Sequence, residues 1–189
     1  MQYLNNNNKK ISIQRYNTSS TYSKEDRTGG SNGSTMRFEK ENKDPQNQGL
    51  EYARNFLETI KNRYPGISYS DLWILASYVA IEEARGPKIE FVPGRKDAYW
   101  QNKCPPNGRL PDLNKDSKHL REVFYRMGFS DKEIVALIAG GHQFPIDLEL
   151  KKDPELRKYS ILYKEDQLQF QNDFAQAFKK LTELGFKVF

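Results

Sequence analysis

Apolar residues recur at helical spacing through most of this chain, and no segment shows the period of two that a half-buried strand requires. From Gln48 to Arg63, Leu50, Ala53, Phe56, Leu57 and Ile60 share one face. Lys61 and Arg63 suit the C-terminal end of that helix, and Pro65-Gly66 stops it. Ser68-Tyr-Ser-Asp71 has the form of a capping box with Asp in place of Glu. The helix it opens, Asp71 to Ala84, is apolar nearly all round from Leu72 to Ile81, which predicts a central position. Five prolines between positions 87 and 111 (87, 93, 105, 106, 111) predict a long ordered loop, of a length usually functional or wrapped over something. Asp116 to Met127 reads as a helix with Leu120, Val123, Phe124 and Met127 inward, ended by Gly128. Ser130-Asp-Lys-Glu133 is a second capping box, opening a helix through Val135, Leu137 and Ile138 to Gly140-Gly141. Asp153-Pro154 is an N-cap followed by a first-turn proline. A last helix, Asp166 to Leu184, carries a stripe of Phe170, Phe174, Ala177, Phe178 and Leu181 and ends at Gly185. Toward the N-terminus, Gly29, Gly30 and Gly33 make a loop. Asn5 to Asn8, followed by Lys9 and Lys10, is low-complexity and reads as an extended arm over residues 1–12, leaving 13–189 as one helical domain.

The 189 residues suffice for one domain with a core. A net charge of +5 is spread with both signs interspersed, so nucleic acid is not implied. A lone cysteine, Cys104, excludes an internal disulfide framework and suits a reducing or matrix-like compartment. No run approaches the roughly 20 apolar residues of a membrane span. Met1 to Lys24 carries Lys9, Lys10, Arg15 and Lys24, with its first acidic residue only at Glu25; this is as compatible with an organelle-targeting segment as with a plain basic arm.

Four stretches carry a resemblance. They are TSSTYSKEDRTGGSNGSTMRF from Thr18, ISYSDLWILASYVAIEEARGPKIEFVPGRKD from Ile67, CPPNGRLPDLNKDSKHLREVFYRMGFSDKEIVAL from Cys104, and DPELRKYSILYKEDQLQFQNDFAQAFKKLTELGF from Asp153. In this order they resemble the class I haem peroxidases, the family of ascorbate peroxidase and cytochrome c peroxidase. The resemblance implies an all-α, partial haem-peroxidase fold. It lacks the first helix, whose place the Asn-rich arm takes, and the helices between the proximal histidine and the proximal aspartate.

In that family a distal histidine moves the proton of hydrogen peroxide and a nearby arginine stabilises the separating charge. A proximal histidine ligates the iron, and an aspartate holds its other nitrogen. Aligned without gaps on Thr18-Ser19, the distal arginine, tryptophan and histidine positions fall on Ile13, Tyr16 and Asn17. Arg15 stands two residues after Ile13, roughly 200° around a helix. Asparagine has no group that accepts and returns a proton near neutral pH, so no catalytic residue is expected among Ile13, Tyr16 and Asn17. The proximal run Val135-Ala-Leu-Ile-Ala-Gly-Gly-His142 is one residue longer than the family's, which puts Gly141 in the ungapped ligand position. A helical bulge would restore His142 as a haem-iron ligand; otherwise His142 is a helix-end histidine bonded to a carbonyl or water. Asp147, in Phe144-Pro-Ile-Asp147, stands where the proximal aspartate would, with the intervening family section absent. His142 and Asp147 are therefore the haem-site candidates if haem is bound. His119 reads as surface, Cys104 as structural, and Arg95, Arg109 and Asp112 as loop-fixing scaffold.

These losses lead to the expectation of a catalytically degenerate peroxidase-like protein without a cofactor. It would be an accessory subunit bound to other protein subunits of a larger mitochondrial assembly, with no nucleic acid and no transmembrane segment. A place peripheral to a membrane complex is compatible with this reading. The alternative reading is a haem b peroxidase that reduces hydrogen peroxide.

Overall fold

A computed structural model describes residues 6–112, 115–141 and 146–186, with backbone alone for 6–9 and 146–148. Among the described residues there are nine α-helices and no strand. They are α1 (Asn6–Ser20), α2 (Glu39–Asn42), α3 (Glu51–Arg63), α4 (Tyr69–Glu83), α5 (Ser117–Met127), α6 (Asp131–Gly141), α7 (Ile146–Lys152), α8 (Pro154–Glu165) and α9 (Gln167–Glu183). The segment expected to be extended is helical from Asn6 onward. It contains neither Gly nor Pro, and α1 gains its hold by packing against α4, α3 and α9.

α4 is sewn into two cores. Leu72, Trp73 and Ala80 enter a cluster with Ile11, Met36, Leu50, Ala53 and Leu57. Ile74, Tyr78 and Ile81 enter a second with the inward residues of α5, α6, α8 and α9. Its near-uniform apolarity thus has a cause, although a third side stays open: Leu75 is 37% and Val79 49% exposed. Phe56 also departs from its expected place and is 48% exposed, because α3 buries only a narrow stripe of Ala53 and Leu57, continued by Leu50 just before it. Phe174, Ala177, Phe178 and Leu181 of α9 are buried as the spacing predicts.

The caps behave as side-chain chemistry requires. Ser130 and Glu133 form a reciprocal box: the Ser130 N–H donates to Glu133 Oε2 at 2.7 Å and the Glu133 N–H to Ser130 Oγ at 3.4 Å. At α4 only half of the expected box forms. Ser68 Oγ accepts from the Asp71 N–H at 3.0 Å, but Asp71 turns to the long loop. There it accepts from the Gly94 N–H at 2.7 Å and from Arg95 Nη1 at 3.1 Å. The loop supplies the missing cap in return. Asp97 accepts from the Tyr69 N–H at 2.8 Å and the Ser70 N–H at 2.9 Å. The proline-rich loop is thereby wrapped onto the start of α4.

The Gly29-Gly30 turn interlocks with the end of α9. A Cβ on Gly30 would stand 2.5 Å from the Leu184 carbonyl oxygen, and one on Gly185 2.7 Å from the Gly29 oxygen, so only glycine allows this crossing.

Candidate active site

α1 carries the distal positions and sorts its residues by side. Ile11, Gln14, Arg15, Thr18 and Ser19 are buried, whereas Ile13 and Tyr16 lie half-buried on another side. α6, which leads to the proximal position, packs on α9, α8, α5 and α7. α9 is the element that both α1 and α6 lean on.

Asn17 is held from outside its own helix. Its amide nitrogen donates to the Gln46 carbonyl oxygen at 3.0 Å and to Asn47 Oδ1 at 3.0 Å. Asn47 in turn donates to the Glu41 carbonyl oxygen at 3.0 Å, and Gln46 Nε2 reaches the Pro111 oxygen at 3.1 Å. Both amide hydrogens of Asn17 are therefore committed, and what it can offer a ligand is a carbonyl oxygen, an acceptor without a titratable proton. Gln46, Asn47 and Glu41 escape the sequence reading. The only signal was the Asp44-Pro45 turn, whose Asp44 Oδ1 accepts from the Gln46 N–H at 3.0 Å.

Arg15 does not reach the side of Ile13. It is fully buried, and none of its three guanidinium nitrogens has a hydrogen-bond partner among the described residues. Burial, reinforced by neighbouring Arg95, lowers its pKa to about 9. Gln14 likewise has both amide atoms buried without a partner among the described residues, and Glu41 is buried near Arg15. Burial pushes the Glu41 carboxyl up to about 7, against the pull of Arg15.

On the proximal side, residues 131–141 are continuous α-helix, so the extra residue is not taken up as a bulge within α6. Gly140 is pressed against α9: a Cβ there would lie 2.2 Å from the Phe174 ring. Gly141, the ungapped ligand position, is exposed at the helix end. His142 and the side chain of Asp147 lie outside the described residues.

The other singled-out residues are placed. Arg95 pairs with Asp71 at 3.1 Å in a buried ion pair, and Arg109 pairs with Asp26 at 2.9 Å. His119 is not plain surface, since its Nε2 accepts the Asp112 N–H at 3.0 Å and so ties the loop to α5. Cys104 is buried, and burial raises its thiol to about 11, which makes it unreactive at neutral pH.

A family model described as peroxidase matches residues 16–147, from the distal helix across the His142–Asp147 join. The chain belongs to the class I haem peroxidase family. It is 40% identical to a putative mitochondrial cytochrome c peroxidase of Yarrowia lipolytica, over 90% of this chain and 79% of that protein. It is 39% identical to a putative heme-binding peroxidase of Aspergillus fumigatus, over 91% and 73%. It is 40% identical to a probable peroxisomal L-ascorbate peroxidase of Oryza sativa subsp. japonica, over 88% and 69%. The first match runs over 226 aligned positions yet takes in 90% of 189 residues, about 170, so roughly 56 positions have no counterpart here. The fold is a shortened peroxidase fold, as the resemblance implied.

The same matches correct the functional expectation. Proteins about 40% identical across nine-tenths of this chain are named as peroxidases, and the accessory-subunit reading is overturned. The expectation of no cofactor loses its ground with it. The substituted distal positions, the displaced proximal histidine and the missing family sections count for less than the likeness of the whole chain.

Proposed function

We propose that this chain is a haem b peroxidase that reduces hydrogen peroxide, with a distal side that slows the proton-transfer part of the reaction. The observation that carries this reading is the level of identity, over nine-tenths of the chain, to proteins named cytochrome c, heme-binding and ascorbate peroxidases. Of the described residues at the family's haem-facing positions, Ile13 packs partly against the cluster around Leu57 and Trp73, Tyr16 packs partly against the cluster of α5, α6, α8 and α9, and α6 ends on an exposed glycine. Since α6 itself holds no bulge, the proposal requires the stretch after Gly141 to bring His142 round to the iron, with Asp147 as its hydrogen-bonding partner. When bound, haem supplies the redox chemistry by which peroxide is cleaved and electrons are taken from a reductant.

The chain's own contribution follows from Asn17. With both amide hydrogens engaged by Gln46 and Asn47, its carbonyl oxygen can accept from a peroxide hydroxyl and orient it. It does not take the proton. Ile13 brings no charge to the separating oxygens, and Arg15 points into the core. A small reductant and cytochrome c are both compatible with the names of the relatives. A mitochondrial setting follows one group of those names and a peroxisomal setting another.

The test is the absorption spectrum and pyridine haem assay of the full chain titrated with haem, in parallel with a His142→Ala variant. One haem per chain with a Soret band that the variant loses is the expected result; no Soret band in the wild-type chain overturns the reading. Asn17→His with Ile13→Arg should then raise peroxide turnover by roughly 10²–10⁴ at unchanged haem content.

A further inference from the structure

Tyr99 and Trp100, at 87% and 72%, are the most exposed large hydrophobic side chains among the described residues. They stand side by side on a tip that is fixed from both ends. Just before them, the Ala98 N–H donates to the Gly33 oxygen at 2.8 Å, and Arg37 Nη2 donates to the Ala98 oxygen at 2.7 Å. Just after them, the Lys103 N–H donates to the Trp100 oxygen at 3.2 Å, and buried Cys104 donates its N–H to the Gln101 oxygen at 3.1 Å. The rings are thus presented by a fastened backbone, and their exposure is built into the loop.

The surroundings are basic. Lys96 and Lys103 are exposed on either side of the pair. Lys40 and Lys43 line a cleft of about 580 Å³ with Gln101, Asn102 and Asn107, the residues that follow Trp100. Glu39, in the same cleft, is paired to Lys43 at 2.5 Å. Asp97 is turned inward, with its oxygens on the Tyr69 and Ser70 N–H groups and the Ser34 hydroxyl.

We propose that the Tyr99-Trp100 tip, with Lys40, Lys96 and Lys103 around it, is a docking site for the surface of an anionic phospholipid membrane. Two rings on a projecting tip cover far less than the roughly 800 Å² per partner of a stable protein interface. Tyrosine and tryptophan settle at the headgroup level, where their apolar rings and polar edges are both satisfied, and lysines are drawn to anionic headgroups. No helix among the described residues is long and apolar enough to cross a membrane, so this association is peripheral and reversible. It is independent of haem and of peroxide chemistry.

The experiment uses the full chain and vesicles of phosphatidylcholine, with and without about one-third phosphatidylglycerol. The chain has two tryptophans, and Trp73 is 2% exposed, so Trp100 is the one whose fluorescence reports the contact. The expected result is a blue shift and co-sedimentation with the anionic vesicles alone, reversed by salt. Tyr99→Ser with Trp100→Ser should lower the bound fraction roughly tenfold while leaving the circular dichroism unchanged. Lys40→Glu and Lys103→Glu should each lower it about fivefold or more. Absence of any shift at low salt overturns the proposal. So does equal binding by the double serine variant, which would assign the attraction to the net charge of +5 alone. Retention of the wild-type chain on immobilised polyglutamate without vesicle binding would assign the tip to an acidic protein, and likewise overturns it.

Discussion

Arg121, where α5, α6 and α8 meet, donates to Asp131 at 2.9 Å and to Asp153 at 2.6 Å. Both carboxylates also serve helix starts: Asp153 caps α8 through the Glu155 and Leu156 N–H groups, and Asp131 lies in the first turn of α6. These bonds hold both carboxyls below the usual carboxylate range even though burial opposes it. Arg15, in α1, has the same guanidinium and none of this, and Gln14 beside it has no side-chain partner among the described residues either. Around α5 to α8 the helices are joined through bonded charge pairs, whereas at α1 Arg15 is buried with only the unbonded pull of groups such as Glu41 and Asp71 on it. The difference teaches that the shortened fold satisfies its buried polar groups around α5 to α9 and leaves several of them unbonded around α1, the helix on which the distal positions sit.

The largest effect is expected at the seam between the halves. Arg95 bonds Asp71 of α4 and, through Nη2 at 3.0 Å, the Thr182 oxygen of α9. Arg95→Met would leave Asp71 buried without its cation and should lower stability by about 3–5 kcal/mol, read as a shift of the urea midpoint at constant slope. A loss under about 1 kcal/mol would mean that the seam does not depend on charge matching.

Glu41 tests the surroundings of α1 by pH. Its folded value of about 7 lies above the ordinary 4.5, so the folded chain binds more protons between those values. Stability therefore falls as pH rises through that window and levels above it, by on the order of 3 kcal/mol in full. Glu41→Gln should flatten this slope and leave the chain more stable at pH 8 than the unsubstituted protein. A slope unchanged by the substitution would place its origin elsewhere.

These two sites also mark what the sequence could and could not tell. α5, α6 and α9 were legible from their apolar stripes and α8 from its start: Asp153 caps α8 as expected, Gly128 closes α5 at φ 92°, and Asp116 and Asp166, read as first helical residues, prove to be the caps of α5 and α9. The buried side of α1 was illegible because Gln14, Arg15, Thr18 and Ser19 read as surface in any hydrophobic pattern, and only packing against α4 buries them. Asn17 could be located by register, but its partners Gln46 and Asn47 stand about 30 residues away and left no periodic signal. The caps supplied by Asp97 were hidden for the same reason, since Asp97 is 28 residues from Tyr69.

The contrast between the two arginines predicts opposite signs for one substitution. Arg121→Met removes charge-assisted bonds to two carboxylates and should cost about 2–3 kcal/mol. Arg15→Met replaces an unpartnered buried cation by an apolar chain of similar length and should raise stability by about 1–2 kcal/mol. Chemical denaturation of the two variants at pH 7 gives both numbers. A loss at Arg15 equal to that at Arg121 would show that Arg15 is matched in solution by Glu41 or by water, and the contrast between the halves would collapse.

The smallest effect isolates a single hydrogen bond across the two halves. His119 Nε2 accepts the Asp112 N–H at 3.0 Å, which requires the neutral ring with its proton on Nδ1. The bond ties the proline-rich loop, whose other end caps α4, to α5. His119→Leu keeps an apolar side chain of similar size and leaves the N–H without this acceptor, so it should cost about 1 kcal/mol. His119→Gln can return an oxygen to the same donor and should recover most of the loss. If leucine and glutamine are equivalent in urea denaturation, the loop is held by Arg109, which bonds Asp26 and the Thr21 oxygen, and the histidine is a passenger on α5. If glutamine alone restores stability, the acceptor atom is what matters.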